Sequence, residues 1–118
     1  MSNKDKDEVR IKHILQAVKF IEEFVKDSQL KSFVKNYLLQ SAVVRQFEIK
    51  GEAANNISNN LKEKLPEIEW AQIKGFRNLL IHEYFRVDAI ELWQTIENDI
   101  PVLKKQLKNI LKKQFGKK

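Results

Sequence analysis

Trp93-Gln94-Thr95-Ile96-Glu97-Asn98-Asp99-Ile100-Pro101-Val102-Leu103-Lys104-Lys105-Gln106-Leu107-Lys108-Asn109-Ile110 decides the fold class. Trp93, Ile96, Ile100, Leu103, Leu107 and Ile110 step 3-4-3-4-3, the spacing that keeps one helix face apolar. Pro101 interrupts the series without shifting its phase, and Asn98 or Asp99 could cap a fresh helix start. The stretch therefore predicts a kinked helix, or two nearly collinear ones, presenting one continuous stripe. Just upstream, Asp88 and Glu91 have capping-box spacing and mark where that helix begins.

The remainder of the chain agrees. Ile11, Ile14, Leu15, Val18, Ile21 and Val25 predict a first helix over about Glu8 to Lys26. A second apolar series starts at Leu30, Phe33, Val34, Tyr37 and Leu38 and continues through Val44, Phe47, Ala54, Ile57 and Leu61. It reads as one long helix or as two pieces meeting near Gly51, since a mid-helix glycine costs ~1 kcal/mol relative to alanine. The run Asn55-Asn56-Ile57-Ser58-Asn59-Asn60 is poor helix-forming sequence and should fray unless packed. Pro66, Glu67 and Glu69 suit the first turn of a third helix running to about His82. With three glycines, two prolines and no Asn-Gly or Asp-Gly hairpin signal, the expectation is an all-α, up-and-down bundle of four to five helices.

Composition narrows the function. A chain of 118 residues, 42% hydrophobic, fits one domain over 1–118, with residues 113–118 expected to fray as a basic tail. The absence of cysteine excludes disulfides, Cys-based zinc sites, iron–sulfur clusters and thiol nucleophiles, and is compatible with a cytoplasmic setting. Neither an apolar signal segment nor a membrane-spanning run is visible. The net charge of +6 belongs to the C-terminus. Seven lysines follow Leu103 while no acid follows Asp99, so residues 1–103 carry 15 basic and 16 acidic side chains. Lysines at the end of a last helix also suit its negative pole, so the charge alone does not argue for nucleic acid.

Chemistry concentrates in Arg77-Asn78-Leu79-Leu80-Ile81-His82-Glu83-Tyr84-Phe85. A guanidinium binds phosphate bidentately, an imidazole moves protons near neutral pH, and both occur here beside a phenol. Positions five apart on an ideal helix are ~140° out of register, so Arg77 and His82 converge only if His82 sits at the helix end or the last turn is distorted. Arg77 and Tyr84, seven apart, align if the helix continues. The plain alternative is a helix terminus in which His82 meets the dipole and Arg77 pairs with an acid. His13, the other histidine, lacks an acidic neighbour at helical spacing and reads as a surface or structural residue. No H-E-x-x-H or E-x-x-H spacing, phosphate loop or nucleophile elbow occurs, so neither metal nor cofactor is expected.

The run R-N-L-L-I-H-E-Y resembles the R-x-x-x-x-H-x-Y signature of the HEPN superfamily, and within it the HepT toxins paired with MNT-type nucleotidyltransferases. Val44 to Ala53, Trp70 to Phe76, and Leu92 through Pro101 are similar to the family's flanking helices, and the resemblance spans about residues 8–112. It implies a HEPN-like bundle that dimerises beside the motif, acting as a metal-independent endoribonuclease and the toxin of a toxin–antitoxin pair. Arg77 and His82 are then the catalytic pair, and Tyr84 the residue to which the antitoxin attaches AMP. Asn78 matches the residue after the arginine. Arg45, Glu48 and Glu52 are polar positions that either line the site or form a solvated face. Two rivals stand beside this reading: a non-catalytic HEPN subunit presenting substrate or nucleotide to a partner nucleotidyltransferase, and a helical interaction protein with no site.

Overall fold

A computed structural model describes residues 2–82 and 88–116, and every described element is helical. In chain order these are α1 (Asn3–Val25), α2 (Leu30–Phe33), α3 (Tyr37–Asn55), α4 (Asn59–Lys64), α5 (Trp70–His82) and α6 (Ala89–Phe115). Four long helices form the body, and the two short ones raise the number above the four to five expected.

The stripe that decides the fold class is buried along its whole length, from Trp93 to Ile110. The Asp88 carboxylate accepts from the Glu91 amide at 2.7 Å to begin α6. Gly116 ends it in the left-handed conformation, φ 68°. Pro101 lies inside α6 as a single uninterrupted helix. Its ring is on the exposed side, where the missing N–H is least costly. Ile11, Ile14, Leu15, Val18 and Ile21 of α1 meet this stripe and the inner face of α3 in one apolar cluster. Phe33 of α2, fully buried, lies 5.1 Å from the Trp93 ring and closes one side of the core.

Three boundaries differ from the sequence expectation, each for a non-local or capping reason. α1 begins at Asn3 rather than near Glu8 because the Ser2 hydroxyl accepts from the Asp5 amide. Asp7 is buried there, accepting from the Ser58 amide at 2.9 Å and the Ser58 hydroxyl at 2.6 Å. Ser58 in turn caps α4, so the second turn of α1 is tied to the start of α4. The second apolar series breaks at Val34–Asn36, where Asn36 caps α3, and again after Asn55. It does not break at Gly51, which lies well inside α3. α5 starts at Trp70, not Pro66. The preceding turn is held instead by side chains, with Trp70 Nε1 donating to the Leu65 carbonyl and Gln106 Nε2 to that of Glu67.

Candidate active site

α5 carries Arg77, Asn78 and His82 and is fixed to α3 by packing. Ile73 and Leu80 are buried, and Phe76 meets Phe47 edge-on with centroids 5.2 Å apart. Gly51 is what lets the helices close. A β-carbon added there would lie 2.2 Å from Cβ and 2.5 Å from Cγ of Arg77. The glycine that reads as a helix break is thus the seat of the Arg77 stem.

The Arg77 guanidinium is already engaged. One terminal nitrogen donates to Asn78 Oδ1 at 2.9 Å and the other to Glu52 Oε2 on α3. Its Nε is buried without a hydrogen-bond partner among the described residues. The side chain is 23% exposed, so the cation is oriented by neighbours rather than sweeping through solvent. A carboxylate and an amide oxygen occupy donors that suit two oxygens of a phosphate, and such a phosphate would compete with Glu52 for them.

His82 is the last described residue of α5, exposed at the helix end. Among the described residues no hydrogen bond joins it to Arg77, whose side chain turns toward α3. The pair shares the C-terminal half of one helix with no hydrogen bond between them among the described residues. Tyr84 lies outside the described residues. Arg45 and Glu52 are exposed and Glu48 is partly buried. Together with Arg10, His13 and Ile81 they line a groove of about 570 Å³, and Arg45 pairs with Glu48 at 3.6 Å. Glu52 joins the groove to Arg77. His13 is exposed as read from the sequence, but its place in this groove went unseen. Arg10 and His13 share a face of α1 at i, i+3, and that spacing is the signal that could have flagged them. Among the described residues no three His, Asp or Glu side chains converge as a metal site. Among the described residues no helix is long and apolar enough to cross a membrane.

A family model described as Ribonuclease HepT-like matches residues 14–110. The chain is 44% identical over 104 residues to a candidate RNase of Caldanaerobacter subterraneus subsp. tengcongensis, covering 88% of this chain and 93% of that protein. It is 40% identical over 102 residues to a protein named "Probable ribonuclease HepT" from Thermococcus cleftensis, covering 86% and 93%. A candidate RNase of Methanocaldococcus jannaschii is 40% identical over 94 residues, covering 80% and 86%. No solved structure matches the chain.

Proposed function

The chain belongs to the HepT-like ribonuclease family, and on that premise we propose that it is an RNA-cleaving enzyme in which Arg77 and His82 do the chemistry. The observation that carries this reading is the anchored Arg77. Its guanidinium is held half-buried by Glu52 and Asn78 at the edge of a groove, on the helix that ends in His82. Cleavage uses the 2′-hydroxyl of the substrate itself. The His82 imidazole takes its proton as the oxygen attacks phosphorus, and a second proton reaches the departing 5′-oxygen. Arg77 offsets the charge that builds on the phosphate oxygens. The products are a 2′,3′-cyclic phosphate and a 5′-hydroxyl, and no metal takes part.

The finer reading follows the family resemblance. One helical domain forms a homodimer that brings two copies of the motif into one cleft, supplying both a base and an acid. It works in the cytoplasm as the toxin of a toxin–antitoxin pair. A cognate MNT-type nucleotidyltransferase silences it by attaching AMP to Tyr84. The added phosphodiester then competes for the Arg77 donors from within the same molecule.

The test is cleavage of a single-stranded RNA with and without EDTA. Arg77→Ala is expected to lose ~10²–10³-fold in rate, and His82→Ala ~10²–10⁴-fold. Cyclic-phosphate ends are expected, with EDTA inert. Cleavage that survives both substitutions, or that EDTA abolishes, overturns the assignment. Tyr84→Phe is expected to keep cleavage and escape silencing by an ATP-supplied partner.

A further inference from the structure

Away from the groove, a cavity of about 390 Å³ lies between α3, α5, α6 and the turn ahead of α5. Its size falls in the range of about 300–1,000 Å³ usual for small-molecule sites. Lys50 of α3 lines it although the residue is only 5% exposed. Among the described residues its amine has no hydrogen bond and no ion pair, and the Phe47 ring centroid lies 5.0 Å from Nζ. Asp99 of α6 lines the same cavity and acts on the amine through space. Burial lowers the Lys50 pKa to about 8 while Asp99 opposes the shift. The stem is buried while the amine opens onto the cavity, where its N–H donors are unused by the fold. An acceptor carried by a ligand supplies what the fold leaves out.

The remaining walls say what else that ligand must carry. Glu67, Glu69, Glu91 and Asp99 all line the cavity, so carboxylates outnumber the single lysine and repel phosphates and other anions. Carboxylates accept only, and they call for N–H donors. Ile73 and Phe76 add apolar surface suited to a flat ring. The complement is a neutral planar molecule with one carbonyl beside two adjacent N–H donors. Guanine has that edge: its 6-carbonyl, N1–H and 2-amino group lie side by side. Adenine and cytosine present a ring acceptor where the second donor is needed, and uracil sets two carbonyls around its single donor.

We propose that this cavity is a guanine-binding site, in which Lys50 donates to the 6-carbonyl and Asp99 accepts from N1–H and the 2-amino group. Phe76 covers the ring, and any phosphate stays outside the acidic rim. The base arrives either as a free nucleoside or turned out of an RNA strand, read on its pairing edge. The site stands apart from Arg77 and His82, so it holds or falls independently of the cleavage chemistry.

Titration calorimetry on the full chain tests it, with guanosine, inosine and adenosine as probes. Guanosine is expected to saturate one site per chain. Inosine, which lacks the 2-amino group, should bind about tenfold more weakly. Adenosine should give no heat, and guanosine monophosphate should bind no tighter than guanosine. Lys50→Met and Asp99→Asn, checked for native helicity, should each weaken guanosine at least about tenfold. An RNA oligomer with one guanosine that displaces the nucleoside assigns the source to a strand, and failure to displace assigns it to the free nucleoside. The proposal is overturned if millimolar guanosine gives no saturable binding, if the three nucleosides bind alike, or if both variants bind as the parent does.

Discussion

Two cations meet α3 at neighbouring residues and end in opposite states. Arg77 rests on Gly51 with its guanidinium held by Glu52 and Asn78. Lys50, one residue earlier, is more deeply buried and has no hydrogen-bond partner among the described residues. The arginine's planar fork meets two acceptors at once. The lysine meets no acceptor among the described residues, and burial draws its pKa down to about 8. Depth of burial alone does not settle the fate of a charge. What settles it is whether the same packing also delivers oxygens.

The largest effect should come from removing the seat of the arginine. Gly51→Ala places a methyl 2.2 Å from Arg77 Cβ and 2.5 Å from Cγ, atoms close to the backbone that cannot swing aside. α5 must move away from α3, which should cost about 3 kcal/mol, the upper end of overpacking penalties. The displaced guanidinium then loses Glu52, and RNA cleavage should fall by ~10²-fold. Denaturant melts and single-turnover cleavage on the same preparation measure both. A variant as stable and as active as the parent would show that the close approach at Gly51 is not what holds Arg77.

Replacing the unpaired cation should do the reverse. The Lys50 folded-state pKa of about 8 lies below the ordinary 10.5. Between these values the unfolded chain binds more protons, so stability rises with pH across that window. Below about 8 both states are protonated and the penalty is complete, on the order of 3 kcal/mol. Above 10.5 both are neutral and it is gone. Lys50→Met should therefore raise stability at pH 7 by about 2 kcal/mol, less than the full penalty because the new side chain must repack. The gain should shrink steadily from pH 8 upward. A variant that is less stable at pH 7, or whose gain does not change with pH, would mean that the amine finds an acceptor in solution.

The contrast also separates what was legible in the sequence from what was not. The α6 stripe, the Asp88 cap and the proline accommodated without a phase break all rest on residues within a turn or two of each other. A one-dimensional pattern carries such information. Gly51 does not, because its meaning is Arg77, twenty-six positions away. Asp7 and Ser58 tie α1 to the start of α4 through a contact between segments whose local sequences give no hint of it. At the site, Arg77 and His82 were visible as residue types at the end of one helix. That Glu52 engages the guanidinium, and that His13 lines the groove beside it, required the packing of α1 and α5 on α3. Lys50 is the extreme case, since a lysine reads as solvated until α5 and α6 close over its side of α3.

The smallest expected effect sharpens the comparison from the other side of the cavity. Asp99 is exposed, yet its charge is what opposes the downward shift of the Lys50 pKa. Asp99→Asn removes that help, so the Lys50 pKa falls further below its ordinary value and the window of rising stability opens at lower pH. Because water screens the carboxylate, the loss at pH 7 should be only a few tenths of a kcal/mol. The same change made on Lys50→Met should cost nothing, since the charge that Asp99 steadied is absent. A double-mutant cycle run at pH 7 and again above pH 10.5 isolates the term, which should be present at the first and vanish at the second. A coupling that survives at both would place a direct contact where the structure has only a field across open space, and the cavity would then be smaller in solution than its walls imply.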